Sequence, residues 1–169
     1  MRSDLLSRLI ALVRVEQPAG SDPATGFATR RAIRQDALSF APLKLDGASL
    51  LVIAFDGTLP PDFAPDLVSL LHHDDKPYRM SANEIAVLMP STSLRRALGV
   101  AEHVRMMAEV EMRDPVAFSI GIATTEACGF DLEALLASAE GAAGEARSRG
   151  GNRIVVAEPA PLRARALSA

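Results

Sequence analysis

The chain has no tryptophan, one tyrosine and one cysteine, and aromatic residues make up only 4% of its 169 positions. The lone Cys128 excludes an intrachain disulfide and fits a reducing compartment. With no identifiable partner it reads as a small packing residue rather than a nucleophile. Scarce aromatics mean that a core must be built from Leu, Val, Ile and Ala. No apolar run reaches the ~18 residues that a membrane-crossing helix needs, and the first residues lack a signal-peptide cleavage pattern. Together these absences point to a cytoplasmic protein without membrane insertion. An excess of one charge is missing too: 18 Lys and Arg against 21 Asp and Glu leave −3. That balance gives no basic footprint for nucleic acid. Read as full length, the chain would carry no fused sensor domain.

What is present is an apolar content of 49%, enough for the core of one domain. Ser3 and Asp4 can start a helix whose Leu5, Leu6, Leu9, Ile10 and Val13 share one face, until Gln17 to Ser21 break it. A second helix is expected from about Thr29 to Ser39. Leu50 to Phe55 is a continuous apolar run, as in a strand buried on both faces. Pro60-Pro61 opens a short helix to about Leu71, with Phe63, Leu67 and Leu71 inward. Tyr78 to Met80 and Ile85 to Met89 read as a hairpin joined by Ser81-Ala82-Asn83-Glu84. A long helix after Pro90-Ser91 would bury Leu94, Leu98, Ala101, Val104 and Ala108.

Val116 to Ala123 alternates, and Ala117, Ser119, Gly121 and Ala123 make one face all small. Such a face admits the close approach of a helix or a ligand, and helix packing is the simpler reading. Asp131 caps a last helix with Leu132, Leu135, Leu136, Ala139, Ala143 and Ala146 as its stripe, ended by Gly150-Gly151. Arg153 to Ala157 is a final strand. The expected fold is α/β (α+β): a sandwich with a mostly antiparallel sheet, helices on its faces and one short hairpin. The division is residues 1–20 for an N-terminal helix and linker, 21–158 for the domain, and 159–169 for a disordered tail.

Three segments resemble the GGDEF family, in the family's order. Asp22-Pro23-Ala24-Thr25-Gly26-Phe27-Ala28-Thr29-Arg30-Arg31 is similar to its entry motif DxLTGLxNRR. Phe118 to Ala123 is similar to its SIGIA strand. Ala139-Glu140 to Ala146-Arg147, followed by Gly150-Gly151-Asn152-Arg153, is similar to its closing ADxALYxAKxxGRNR signature. The resemblance implies the nucleotidyl-cyclase palm-like sandwich. It also implies a family chemistry, in which two GTP molecules are joined into cyclic di-GMP with the help of metal ions.

The central motif has changed. Where the family has GGDEF, this chain has Ser81-Ala82-Asn83-Glu84-Ile85, and the following Ala86 to Pro90 fixes the register against the family's FAVLLP. Hard cations need oxygen ligands, chiefly carboxylates. By resemblance, those carboxylates fall at Ala54 and Asn83. Alanine has no ligand atom, and an uncharged amide is a poor Mg2+ ligand and no general base. Asp56 and Glu84 are the neighbours that could substitute. Thr58-Leu59-Pro60-Pro61-Asp62-Phe63 stands where the family reads guanine, without its Asn- and Asp-rich pattern. Arg147 matches a phosphate-binding Lys, and Gly151 replaces an Arg. In the family's inhibitory RxxD site the Asp matches Asp75, but the Arg matches His72.

The expectation is therefore a catalytically inactive GGDEF-like signalling domain, not an enzyme, without a cofactor or a metal. It would act through a protein partner and form a homodimer through its N-terminal helix. A non-catalytic receptor for cyclic di-GMP or GTP, using His72, Asp75, Arg79 and Arg147, is the alternative, and a residual cyclase the second alternative. His72-His73-Asp74-Asp75 as a metal site is weaker than a helix C-terminus with exposed histidines.

Overall fold

In the strand Ser49–Phe55 every residue is buried, and alternate side chains enter two separate cores. Leu51, Ile53 and Phe55 face one way; Leu50, Val52 and Ala54 face the other. That pattern requires a helical layer on both faces of the sheet. The computed structural model, which describes residues 20–40, 47–110, 117–129 and 131–159, has both layers. The expected helix over Ser3 to Val15, Ala108's side chain, Val116 and the tail beyond residue 159 lie outside the described side chains and segments.

The elements run β1 (Ala28–Thr29), α1 (Arg30–Phe40), β2 (Ser49–Phe55), α2 (Phe63–Leu70), β3 (Lys76–Ser81) and β4 (Glu84–Met89). They continue with α3 (Leu94–Val110), β5 (Phe118–Thr124), α4 (Thr125–Cys128), α5 (Leu132–Ser148) and β6 (Arg153–Val156). The sheet order is β1-β3-β4-β2-β5-β6. The β3–β4, β4–β2 and β2–β5 pairings are antiparallel, and the edge pairings β1–β3 and β5–β6 are parallel. The mostly antiparallel sandwich read from the sequence is the fold observed.

One core lies between the sheet and α2 with α3, and contains Phe63, Leu67, Ala97, Val100, Ala101 and Val104. The other lies under α1 and α5, around Ile33, Leu135, Leu136, Ala139 and Ala143. The α3 stripe differs in phase from the expected one: Ala97 and Val100 are buried, while Leu94 and Leu98 pack at its margin. Leu71 leaves α2 in an extended conformation and is only half-buried. The two-residue β1 and the single-turn α4 carry too few residues for a periodic signal, and the sequence reading missed both.

The small face of β5 is filled by α5. A Cβ on Gly121 would lie 2.0 Å from the Ala139 carbonyl oxygen and 2.4 Å from the Ala143 nitrogen. Glycine there lets helix backbone rest directly on strand backbone. Asp131 caps α5 as expected, accepting from the Glu133 amide at 3.2 Å. The close seating of α5 positions Glu140 and Arg147 near the ends of β2 and β4.

Candidate functional site

The β2 strand ends at Ala54-Phe55 beside the β3–β4 hairpin. Ala54 pairs across the sheet with Glu84, so the two share one face. The hairpin is tighter than the sequence suggested: Ser81 pairs with Glu84, leaving Ala82-Asn83 as a two-residue turn. Asn83 is sewn to β2 twice. Its carbonyl accepts from the Phe55 amide at 3.1 Å, and its side-chain Nδ2 donates to the Phe55 carbonyl at 3.1 Å. The same carbonyl accepts from Arg147 Nη2 at 3.3 Å, and that nitrogen also donates to Asp56 Oδ1 at 2.9 Å. Arg147 is thus more than the solvated helix-end charge of the simpler sequence reading.

Glu84 lies half-buried beneath α5 and α1. Its pKa is raised, first by burial and then by the Glu140 carboxylate, against the opposing charges of Arg30 and Arg147. Arg30 in turn pairs with Glu140 at 3.1 Å. A raised pKa means that the folded state holds the proton more tightly than the unfolded chain. Ionised Glu84 therefore costs stability at neutral pH, and the cost disappears as pH falls through the folded pKa towards the unfolded value. Glu84→Gln is expected to raise the unfolding midpoint at pH 7 and to change it little near pH 4. A pH series of thermal melts checks this, and a variant less stable at pH 7 contradicts it.

The entry segment is a closed turn. Asp22 Oδ2 accepts from the Thr25 hydroxyl at 2.7 Å and the Thr25 amide at 2.9 Å, and Gly26 takes φ +74° to donate to the Asp22 carbonyl. Burial works against the Asp22 charge, but the Thr25 bonds, the Arg79 charge and the Ala24 amide together lower its pKa. The turn leads into β1, whose Thr29 pairs with Arg79 of β3. The Arg79 guanidinium sits 5.2 Å above the Phe55 ring, and its Nη2 donates to the Ala82 carbonyl.

The His72 to Asp75 segment is built differently. Asp75 Oδ2 accepts from the His72 amide at 2.8 Å and from Arg96 Nη2, on α3, at 2.7 Å. The Asp75 side chain is 2% exposed. The exposed His73 lies 3.3 Å from Asp74. Among the described residues no three His, Cys, Asp or Glu side chains converge as a metal site. The receptor candidates thus have separate partners: Asp75 is held by Arg96, Arg79 by Phe55 and Ala82, and Arg147 by Asp56 and Phe55. Sequence reasoning missed Arg96, which lies 21 residues from Asp75. It also missed Arg30 and Glu140 as neighbours of Glu84, and Asp36, which accepts from the buried Tyr78 hydroxyl at 2.9 Å.

Comparison with known proteins agrees with this geometry. The family described as diguanylate cyclase, GGDEF domain, matches residues 61–153, more than half of the chain. This chain belongs to the GGDEF family. It is 34% identical over 102 residues to the response regulator PleD of Caulobacter vibrioides, covering 56% of this chain and 22% of PleD. The chain thus spans about a fifth of the length of the curated relative it matches. Diguanylate cyclase SiaD of Pseudomonas aeruginosa, solved in complex with its activator SiaC, is similar at 21% identity and TM-score 0.70, over 92% of this chain and 68% of SiaD. The GGDEF domain of DgcB from Caulobacter crescentus, solved with c-di-GMP, is similar at 18% identity and TM-score 0.66, over 82% of this chain and 96% of that one. At these identities the two structures establish the fold. In this GGDEF domain the hairpin that gives the family its name reads Ser81-Ala82-Asn83-Glu84-Ile85. No helix among the described residues is long and apolar enough to cross a membrane.

Proposed function

We propose that this GGDEF domain is a non-catalytic signalling module that acts through protein contacts in cyclic di-GMP-related regulation. The observation that carries the reading is the use made of Asn83. Where the family's chemistry calls for a carboxylate, its amide nitrogen is bonded to the Phe55 carbonyl. Its partner position across the cleft is Ala54, which has no ligand atom. The remaining nearby carboxylates do not fit a divalent pair: Asp56 is ion-paired with Arg147, and Glu84 is half-buried with its pKa raised. The residues present do not make an oxygen cage for two Mg2+ ions. A protein-contact role is supported by analogy with SiaD, whose complex contains a protein activator. A receptor role is less well supported, because the Asp75 carboxylate is consumed by Arg96.

The test is turnover and binding on the same preparation. Incubation with GTP and Mg2+ or Mn2+ is expected to yield no cyclic di-GMP above a heat-killed control. Calorimetric titration at neutral pH is expected to show cyclic di-GMP binding weaker than about 10 μM. The double variant Ala54→Asp, Asn83→Asp is expected to remain inactive, because it breaks the Asn83–Phe55 bond and places a new carboxylate opposite Glu84. Product from either protein, or sub-micromolar binding, would overturn the proposal.

A further inference from the structure

A cleft of about 290 Å3 opens between the entry turn, the segment after β2 and the start of α2. Leu59, Pro60, Pro61, Phe63 and Ala64 supply its walls, and Arg79 is its one ionisable residue. It lies where the family resemblance places guanine reading, yet it offers no amide or carboxylate side chain to recognise a base. Thr25, one of its polar residues, already spends its hydroxyl on Asp22. The guanidinium of Arg79 is better placed to receive a ligand. Its Nη2 is used by the Ala82 carbonyl, while its Nη1 is enclosed by protein and meets no acceptor among the described residues. A buried donor without an acceptor is a standing cost that an incoming anion relieves.

From this arrangement we propose that the cleft binds a small monocarboxylic acid with an apolar body. A turn of the Arg79 guanidinium towards the cleft brings Nη1 onto the carboxylate, and the proline-lined wall covers the hydrocarbon. The volume, at the share a water molecule occupies in the liquid, accommodates roughly ten non-hydrogen atoms. Charge limits the choice further. The Asp22 carboxylate already acts on Arg79, and the exposed Asp62 lies between Pro61 and Phe63 in the chain. A single negative charge is tolerated beside them, whereas a phosphate dianion or a nucleotide triphosphate is repelled. The inference goes beyond the protein-contact role and does not depend on it.

The test uses the full chain, with 3-phenylpropionate as probe and 3-phenylpropanol as its uncharged counterpart. Saturation-transfer NMR and calorimetry are expected to give saturable binding of the acid at about 1 mM or tighter, and binding of the alcohol at least about tenfold weaker. Arg79→Gln should lose about tenfold for the acid and little for the alcohol. Ala64→Leu, which narrows the cleft, should weaken both. Equal affinity for acid and alcohol, no saturation by about 10 mM, or tighter binding of GTP or inorganic phosphate than of the acid would overturn it. The acid–alcohol comparison on the unaltered protein decides the matter even if a variant fails to fold.

Discussion

Gly121→Val lowers the thermal midpoint by roughly 10 °C or prevents folding, an effect of about 3 kcal/mol or more. The cause is backbone against backbone. The position of a Cβ on residue 121 is 2.0 Å from the Ala139 oxygen and 2.4 Å from the Ala143 nitrogen, and neither atom can rotate away as a side chain would. Relief requires α5 to lift from the sheet along the length that buries Leu135, Leu136, Ala139, Ala142, Ala143 and Ala146. Gly121→Ala meets the same atoms and should show a large part of the loss; valine adds two methyl groups to the overlap. The variant also tests how the site is held, because α5 carries Arg147 onto Asp56 and the Phe55 carbonyl. Circular dichroism melts of the alanine and valine variants measure the effect. A shift within about 2 °C for valine would mean that α5 is not seated by this contact.

Arg96→Met is expected to cost roughly 3–5 kcal/mol in urea unfolding. The Asp75 carboxylate, 2% exposed, would keep only the His72 amide as a partner. Removing one member of a buried ion pair leaves a desolvated charge, and that penalty exceeds the net worth of the intact pair. Asp75→Asn with Arg96→Met removes both charges and should recover much of the loss, since the amide can still accept from His72. The double-mutant cycle separates the pair from simple loss of arginine packing. Additive single effects, or a cost for Arg96→Met below about 1 kcal/mol, would show that the pair is not the anchor of this turn. The same cycle bears on ligand recognition: it tests whether the carboxylate matched to the family's inhibitory motif is held as part of the fold.

The sequence by itself determined what neighbouring residues dictate. The unbroken run Leu50 to Phe55 required a strand covered on both sides, and it is buried at every position. Asp131 and the stripe from Leu135 to Ala146 specified α5, and the small residues of β5 announced a close neighbour. The changed family positions, Ala54 and Ser81 to Ile85, could be read directly once Ala86 to Pro90 had fixed the register. Each of these signals is local: a period, a cap, a turn or a motif spacing.

Tertiary structure decided which distant groups meet. Nothing in the sequence chooses Arg96 rather than the adjacent Arg95 for Asp75; the phase of α3 against the sheet does. That phase was misread from the sequence, where Leu94 and Leu98 looked more apolar than Ala97 and Val100. Glu84 became a half-buried carboxylate only because α5 rests on Gly121 closely enough to bring Glu140 over β4. Asn83 showed only a missing charge in the sequence; the hairpin register turned its amide onto the Phe55 carbonyl and made it a structural tie. Local pattern sets element type because backbone sterics and burial repeat every two or every 3.6 residues. The partner of a buried polar group is set by packing across elements, where a shift of one residue in a strand reverses the face that a side chain occupies.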